Sequence, residues 1–282
     1  MRALVTGGGG QLGRAFAKLF PDAVVLGRAE LDITDAEGIE AALTRVRPDV
    51  VVNAAAYTAV DAAEAQVEEA MRVNVEAVIK LAQAARRAGA TLVQPSTDYV
   101  FSGEKHGAYT ERDRTRPLGV YGRTKLQSEV AARAAGGRSL IVRTSWVFGE
   151  GKNFVRSIVD AASRIEALDV VDDQRGRPTH AEDLAKAIVT LAEKGSTGVF
   201  NVTGAGEVGS WADVAEAAIH AAGLNARVRR VTTAQYYAGK AGPVAPRPSN
   251  SELDCSLAQS AGVELRPWRE AVAAYVKEIL SA

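Results

Sequence analysis

The chain has 282 residues, which is enough to bury a sizeable core in one large domain or in two smaller ones. Its 34 basic and 34 acidic side chains balance, so no overall field recruits nucleic acid or an anionic membrane surface. The single Cys255 excludes an internal disulfide framework and is expected to be a structural thiol, while the lack of a signal region or a membrane-length apolar run predicts a cytoplasmic protein.

A glycine-rich turn follows the first predicted strand. The apolar run at 3–5 stops in four glycines, and a helical period resumes through Leu12, Phe16 and Leu19. Backbone N–H groups at such a helix start form a site for a pyrophosphate, so the turn predicts dinucleotide binding. Two spacings overlap, Gly8-x-Gly10-x-x-Gly13 and Thr6-Gly7-x-x-Gly10-x-x-Gly13, and the sequence leaves both open.

The second predicted strand, at 23–26, ends in Gly27-Arg28. An arginine at this point accommodates a 2′-phosphate, so Arg28 favours NADP(H), although a solvated surface arginine is the alternative. Asp32 hydrogen-bonds the adenosine end in one reading and caps the helix through Ile39 and Leu43 in the other. The third strand, at 49–56, ends in alanines that let a flat ligand approach the backbone.

Helix and strand signals continue to alternate through the chain. We predict one long helical segment from about 61 to 88, with Asn74 satisfying a neighbouring backbone group or ordering water. Further predicted strands lie at 91–94, 139–143, 168–171 and 198–202, and further helices at 121–134, 153–164, 181–194, 211–222 and 270–280. The pattern predicts an α/β fold, a Rossmann-type doubly wound parallel sheet with a smaller C-terminal substrate-binding domain. We place the first domain at 1–147, with interleaved segments at about 168–202, and the second mainly at 148–282.

The chemistry is expected where the fourth strand delivers Ser96, Thr97 and Asp98 to the carboxyl edge of the sheet. A long loop, 102–120, leads into a helix on which Tyr121 and Lys125 share one face. An ammonium beside a phenol stabilises the phenolate, so this pair is suited to proton transfer.

Aromatic and polar residues further along the chain extend the candidate site. Trp146 follows a strand end and either bounds a ligand pocket or packs in the core, and the Pro-rich loop 242–251 either presents Arg247 and Asn250 to an anionic ligand or is a solvated connector. The three histidines, His106, His180 and His220, lack metal-ligand spacing, so no transition-metal site is predicted.

Several motifs carry a resemblance over nearly the whole chain. They are Thr6-Gly7-x-x-Gly10-x-x-Gly13, Asn53-Ala-Ala-Ala-Tyr57-Thr58-Ala59-Val60-Asp61-x-Ala-Glu64, Ser96-Thr-Asp-Tyr-Val-Phe101, Tyr121-Gly-Arg-Thr-Lys125, Arg143-Thr-Ser-Trp146, Gly176-x-Pro178-Thr179 and Arg247-Pro-x-Asn250-Ser251. Jointly they resemble the extended short-chain dehydrogenase/reductases and, within these, the family of dTDP-4-dehydrorhamnose reductases. Because the matches fall at site positions, they bear on function as well as on fold.

The resemblance implies hydride transfer from NADPH, or from NADH, to the C4 ketone of dTDP-4-dehydro-L-rhamnose. It implies that Tyr121 donates a proton to the developing alkoxide, that Thr97 hydrogen-bonds the same oxygen, and that Lys125 binds the nicotinamide ribose and lowers the tyrosine pKa. The expected cofactor-binding residues, with Tyr121 and Lys125, are Gly7, Gly10, Gln11, Leu12, Gly13, Arg28, Asp32, Ile33, Ala54, Ala55 and Ala56. Asp98, Trp146, Arg247 and Asn250 are expected to hold the nucleotide-sugar with Thr97, Arg247 being a candidate for the diphosphate.

Departures from the family pattern leave some properties open. Ala15 stands where some members carry a glutamate that takes part in a Mg²⁺-bridged dimer, so Mg²⁺ and the choice between monomer and homodimer are undecided. Ser102 replaces a common aspartate, and Pro95 precedes the Ser-Thr-Asp motif where other residues occur, but neither change removes a catalytic group.

Other functions share this fold. A nucleotide-sugar epimerase or 4,6-dehydratase has the same nucleotide loop and Tyr/Lys pair, but dehydratases of this type carry a glutamate where Tyr99 stands here. A non-catalytic regulatory subunit, like that of methionine adenosyltransferase, also keeps the fold. Retention of Thr97, Tyr121 and Lys125 favours an enzyme that acts on a nucleotide-sugar, without nucleic-acid or membrane partners.

Overall fold

A parallel six-stranded sheet, in the order β10-β5-β4-β3-β1-β2, organises the computed structural model of the chain, which describes residues 1–239 and 241–281. The strands are β1 (Ala3–Thr6), β2 (Val24–Leu26), β3 (Val50–Asn53), β4 (Thr91–Thr97), β5 (Ser139–Thr144), β6 (Val147–Phe148), β7 (Ala167–Val171), β8 (Arg175–Gly176), β9 (Thr179–His180), β10 (Gly198–Asn201), β11 (Gly209–Ser210) and β12 (Arg227–Val231). The chain reverses its direction of travel across the sheet between β1 and β3. Ligands of open α/β sheets bind at this kind of switch point, outside the carboxyl ends of the strands.

Helices cover both faces of the sheet. They are α1 (Gln11–Leu19), α2 (Ala36–Val46), α3 (Val60–Ala63), α4 (Val67–Met71), α5 (Ala77–Arg87), α6 (Val120–Ala134), α7 (Phe154–Ala162), α8 (Ala181–Glu193), α9 (Trp211–Ala221), α10 (Thr233–Tyr237), α11 (Ser256–Ser260) and α12 (Trp268–Ser281). Among the described residues, none of these helices is long and apolar enough to cross a bilayer.

Neighbouring residues of each strand feed two different cores, because side chains alternate across a sheet. Val5 packs with Phe16 of α1 and Ile188 of α8 on one face, while the adjacent Leu4 packs with Ile39 of α2 on the other. All five of these side chains are deeply buried, and the continuous apolar strands reflect this two-sided burial. The predicted Rossmann-type α/β fold is confirmed.

A third core lies apart from the main sheet. Here α7, α9 and α12 pack together around Trp268, which is 1% exposed. Beside them β7 and β12 form a separate parallel pair. Of the segment 168–202 assigned to the first domain, 198–201 extends the main sheet as β10, whereas 168–171 belongs to the pair formed with β12. The division into two domains otherwise remains a prediction.

Two further expectations are wrong in detail. The helical segment 61–88 is divided into α3, α4, a π-helical turn at Arg72–Glu76 and α5, because the backbone leaves helical geometry at Gln66, with φ −118° and ψ 49°. Just before this break, the carboxylate of Glu64 accepts the backbone N–H of Val120. Asp32 does not cap α2; Asp35 does, by accepting the N–H of Glu37. The short elements β12, α10 and α11 are absent from the sequence predictions, since each is brief and weakly periodic.

Candidate active site

The glycine-rich turn between β1 and α1 is built on Gly7 and Gly13. Gly7 has a φ of +69°, and a Cβ on it would lie 2.5 Å from the backbone nitrogen of Ala55. A Cβ on Gly13 would lie 2.3 Å from the carbonyl oxygen of Gly7, whereas one on Gly9 would meet nothing within 4 Å. Gly13 belongs to both spacings, so the choice depends on Gly7 and Gly8. A Cβ on Gly8 would lie 3.0 Å from a Val25 side-chain carbon, a milder conflict than the backbone contact and positive φ of Gly7, so the geometry favours Thr6-Gly7-x-x-Gly10-x-x-Gly13.

The start of α1 is open to an anion. Gly10 is its N-cap and supplies no side-chain hydrogen bond, and the first turn has no acidic residue. The first N–H groups of a helix lack intrahelical partners and carry positive partial charge, so they suit a phosphate. The cradle formed by Gly7 and Gly13 and this uncapped helix start together fit a dinucleotide pyrophosphate.

Two adjoining cavities follow the carboxyl edge of the sheet. The smaller, of about 290 Å³, is lined by Gly7, Gly10, Arg28, Asp32, Ile33 and Ala54–56, among others. The larger, of about 650 Å³, is lined by Gln11, Leu12, Thr97, Asp98, Tyr121, Lys125 and Trp146, among others. Gly10 and Ala54 line both, so the cavities meet at the glycine-rich turn. The structure thus gathers residues that are far apart in sequence into one elongated site.

The two charged residues predicted to bind the adenosine end, Arg28 and Asp32, both line the smaller cavity. The carboxylate of Asp32 accepts hydrogen bonds from the backbone and hydroxyl of Thr34, at 2.9 and 2.8 Å, and these bonds lower the pKa of Asp32. Arg28 lies 3.5 Å from the same carboxylate, and its side chain is 76% exposed. A guanidinium that is exposed and only loosely paired is free to turn toward a phosphate.

The predicted catalytic helix, α6, starts at a crowded point. Its first turn is held close to the turn that follows β4, because a Cβ on Gly122 would lie 2.2 Å from the carbonyl oxygen of Tyr99. Thr97, the last residue of β4, accepts the N–H of Tyr99 at 3.2 Å and donates to Asp98 at 3.0 Å. This packing brings Tyr121 and Thr97 together in the lining of the larger cavity.

Lys125 is buried beneath the same cavity, at 5% exposure. Its Nζ donates to the carbonyl oxygen of Pro95 at 2.6 Å. Burial lowers the pKa of Lys125 to about 8, and the negative charge of Glu129 opposes that shift. Lys125 therefore remains mostly cationic at neutral pH, yet it titrates close to that range.

Burial raises the pKa of Tyr121, and the nearby Asp98 charge adds to that effect, while the hydrogen bond with Thr97 opposes it. The net direction is opposite to the lowering expected from Lys125, because desolvation of the phenolate outweighs the other influences in this structure. Asp98 is itself 2% exposed, and burial raises its pKa to about 6. At neutral pH the phenol of Tyr121 is thus held in its protonated form.

Trp146 lines the larger cavity together with a second tryptophan that the sequence reasoning missed. Trp146 has a φ of +50°, and its ring stacks on Trp211 with centroids 4.0 Å apart. The indole N–H of Trp211 donates to Gln174 at 3.1 Å. Trp211 is the first residue of α9 and has no motif around it, so its only sequence signal is a large aromatic residue at a helix start.

Two predicted substrate residues lie elsewhere. Within the described part of the chain, the linings of both cavities omit Arg247 and Asn250. Arg247 pairs with Asp61 at 2.8 Å and lies over the ring of Tyr237, 4.8 Å from its centroid. The Asn250 amide donates to the carbonyls of Lys105 and Gly107, at 2.8 Å each. These contacts anchor the Pro-rich loop, so the direct substrate contacts expected of both residues stay predictions.

Asn74 performs the backbone role expected of it. In the π-helical turn its amide accepts the N–H of Tyr57 at 2.8 Å and donates to the carbonyl of the same residue at 3.0 Å. It also donates to Thr124 on α6 at 3.1 Å. This side chain therefore joins the loop after β3 to the predicted catalytic helix.

Metal-ligating side chains do not converge in the part of the chain that the structure describes: no group of three or more His, Cys, Asp or Glu residues is placed to hold an ion. Cys255 is a buried free thiol whose Sγ lies 3.5 Å from the hydroxyl of Thr203, and its structural role stays a prediction.

Comparison with known proteins gives full-length matches. The model of the family described as RmlD substrate binding domain matches residues 1–281. A dTDP-4-dehydrorhamnose reductase of Aggregatibacter actinomycetemcomitans is 41% identical over 290 aligned positions, which cover 96% of this chain and 97% of that protein.

Solved structures agree with this match. A dTDP-4-dehydrorhamnose reductase of Clostridium acetobutylicum superposes with a TM-score of 0.92 at 35% identity, covering 100% of both chains. The enzyme of that name from Bacillus anthracis, solved in complex with NADP, also has a TM-score of 0.92, at 31% identity over 98% of this chain and 99% of that one.

Proposed function

The chain belongs to the family described as RmlD substrate binding domain, and from this premise we propose that it reduces the C4 ketone of dTDP-4-dehydro-L-rhamnose with NADPH, giving dTDP-L-rhamnose. The observation that carries the proposal is the convergence of Thr97, Tyr121 and Lys125 on one cavity that continues into the glycine-rich nucleotide site. Binding proteins of this fold need no buried proton donor beside the ligand cavity, whereas a ketone reductase does.

The nicotinamide cofactor fits the residues present. Gly7, Gly10 and Gly13 would hold its pyrophosphate at the start of α1, with Arg28 near the 2′-phosphate. Lys125 would contact the ribose beside the nicotinamide. When bound, NADPH supplies the hydride that reduces the ketone.

Tyr121 is suited to protonate the sugar oxygen. Burial keeps the phenol protonated at neutral pH, so a proton is available, and an alkoxide is a base strong enough to take it. Thr97 lines the same cavity as Tyr121 and can donate to the same oxygen once its hydroxyl turns from Asp98 toward the sugar. The cation of Lys125 favours the phenolate that remains, so it acts most strongly as the negative charge develops.

The remaining residues would form the substrate end of the site. Trp146 and Trp211 offer a rigid stacked wall for a sugar or base, and Asp98 lies where it can accept a sugar hydroxyl. Arg247 would bind a diphosphate by leaving its ion pair with Asp61. The Asp61 side chain is 40% exposed, so water can hydrate its carboxylate when the pair breaks. We propose a cytoplasmic enzyme that is a monomer or a homodimer.

The proposal is tested by following the absorbance of NADPH after mixing the protein with dTDP-4-dehydro-L-rhamnose. We expect oxidation that depends on the sugar and that falls at least ~10²-fold in Tyr121→Phe, the loss typical of removing a general acid. Tyr57→Phe is the matched control. The Tyr57 hydroxyl donates a hydrogen bond to Gln66, and Tyr57 is not among the described residues that line the larger cavity. Tight NADPH binding without turnover would contradict the proposal and favour a regulatory module. Retained activity in Tyr121→Phe would overturn the role of that residue.

A further inference from the structure

A buried ion pair lies directly behind the reducing site. The guanidinium of Arg143, on β5, meets both carboxylate oxygens of Glu129, on α6, at 2.9 and 2.7 Å. The side chains of Arg143 and Glu129 are 5% and 0% exposed. Desolvating two charges costs free energy that their attraction barely recovers, so such a pair is a poor means of stabilising a fold. We therefore ask what the pair does for the neighbouring site residues Thr97 and Lys125.

Glu129 holds the strand end that presents Thr97. Its carboxylate accepts the hydroxyl of Ser96 at 2.6 Å. Ser96 is paired in register with Arg143 across β4 and β5, and the next pair is Thr97 with Thr144. The ion pair thus fastens two adjacent strands and α6 at the residue immediately before the predicted oxygen-binding threonine.

The same carboxylate lies one helical turn after Lys125, on the same face of α6. Lys125 donates to the carbonyl of Pro95, and Glu129 accepts from the next residue, Ser96. The two side chains therefore hold adjacent residues at the end of β4. Arg143 brings a second cation into this buried region, and Glu129 neutralises it. Other ionisable groups lie on the elements packed around this pair. Asp98, from the turn after β4, and Tyr121, from α6, line the cavity with Lys125. Glu111 adjoins Arg143 through its carbonyl, and Tyr109 stacks on the Phe101 ring that Arg143 covers.

Arg143 is itself fixed from the other side. Its guanidinium lies over the ring of Phe101, 5.1 Å from the centroid, and it donates to the carbonyl of Glu111 at 3.4 Å. Arg143 therefore has little freedom to leave if its carboxylate partner is removed. The uncompensated cation would remain buried near Lys125.

We propose that Glu129 is a positioning residue of the reducing site. Its carboxylate holds Ser96 and neutralises the charge of Arg143, so that Lys125 stays cationic while it donates to the carbonyl of Pro95. This inference rests on the proposed reductase function, because it concerns the lysine that would bind the nicotinamide ribose. It assigns to Glu129 an effect on the protonation of Lys125, which a purely structural residue would not have.

Glu129→Gln tests the proposal, since it removes the charge and keeps the shape. The readout is the dissociation constant of NADPH between pH 7 and pH 9, with kcat measured in parallel. Wild-type affinity is expected to fall up to ~10-fold per pH unit once Lys125 loses its proton, because a cationic contact to the cofactor is lost. In Glu129→Gln the lysine faces an unopposed Arg143, so the fall begins at lower pH and affinity at pH 8 is ~10-fold weaker than in the wild type.

Two further variants make the result specific. In Glu129→Gln with Arg143→Met both charges leave together, so the fall in affinity begins between the pH values of the wild type and the single variant. Asp183→Asn, which breaks the partly buried pair of Asp183 with Arg266 at 2.8 Å, controls for loss of a carboxylate and should keep the wild-type profile. Urea unfolding reports which variants fold.

The outcomes separate the two proposals. An unchanged pH profile in a folded Glu129→Gln protein overturns the role of Glu129, even if activity falls. If Glu129→Gln does not fold, the double variant decides: a profile and kcat equal to those of the wild type overturn the inference, and a shift to lower pH supports it. Failure of the wild-type protein to reduce the sugar would instead overturn the proposed function.

Discussion

Replacing Gly13 by alanine tests the geometry of the nucleotide turn. The new Cβ would lie 2.3 Å from the carbonyl oxygen of Gly7, whereas ordinary contacts begin at 3.4 Å. The obstacle is backbone, so α1 and the turn must separate by about 1 Å rather than rotate a side chain. Overpacking of this kind costs ~1–3 kcal/mol, partly offset by the ~1 kcal/mol that alanine gains over glycine within a helix.

A shift of that size should damage the site more than the fold. A displacement of ~1 Å between a bound ligand and its catalytic groups can cost ~10²-fold in rate. We therefore expect Gly13→Ala to lose ~10²-fold in kcat/KM for NADPH, measured by cofactor oxidation, while its free energy of unfolding in urea falls by at most ~2 kcal/mol.

Gly9→Ala is the matched control for the fold, because its Cβ would meet nothing within 4 Å. Its free energy of unfolding should stay within ~0.5 kcal/mol of the wild-type value. If Gly13→Ala kept both the wild-type stability and the wild-type kcat/KM, the assignment of the close approach between Gly13 and Gly7 would be refuted.

Two other predictions concern charge. Arg28→Ser should lower the preference for NADPH over NADH by ~10-fold in kcat/KM. A charged hydrogen bond contributes ~1.5–3 kcal/mol, and the exposed Arg28 is at the lower end of that range. If the ratio of kcat/KM for NADPH to that for NADH were the same in the variant and the wild type, Arg28 would be excluded from 2′-phosphate recognition. Because burial raises the pKa of Asp98 from 3.8 to about 6, its ionised form destabilises the fold above pH 6 and has no such effect below pH 4. Asp98→Asn should therefore gain up to ~3 kcal/mol in free energy of unfolding at pH 8 relative to pH 4, and a pH-independent difference in urea midpoints would contradict that assignment.

Much of the fold was predictable because local signals agreed with the tertiary structure. The uninterrupted apolar strand at 50–53 indicates burial on both faces, and Val51 and Val52 do pack into opposite cores. The break after α3 carries no glycine or proline signal: the backbone leaves helical geometry at Gln66, next to a Glu64 carboxylate that accepts the N–H of Val120, a residue 56 positions away. Apolar periodicity carries no information about such a contact.

The site divides in the same way. Thr97, Tyr121 and Lys125 follow recognisable motifs, and the structure brings them to one cavity. Trp211 and Glu129 lack any such signal: the first meets Trp146 through stacking, and the second meets Ser96 and Arg143 only once β4, β5 and α6 are assembled. The direction of the Tyr121 pKa shift also depended on burial, which spacing along a helix does not report.

The most direct test of the reductase proposal is to trace the hydride. The protein would be supplied with NADPH deuterated at the transferred position, and the sugar product analysed by mass spectrometry and NMR. We expect deuterium at C4 of the product sugar, in amounts equal to the cofactor oxidised, and at most about one-hundredth of that amount from Tyr121→Phe over the same interval. A product that lacks deuterium at C4, or an epimerised sugar formed without net oxidation of NADPH, would contradict the account.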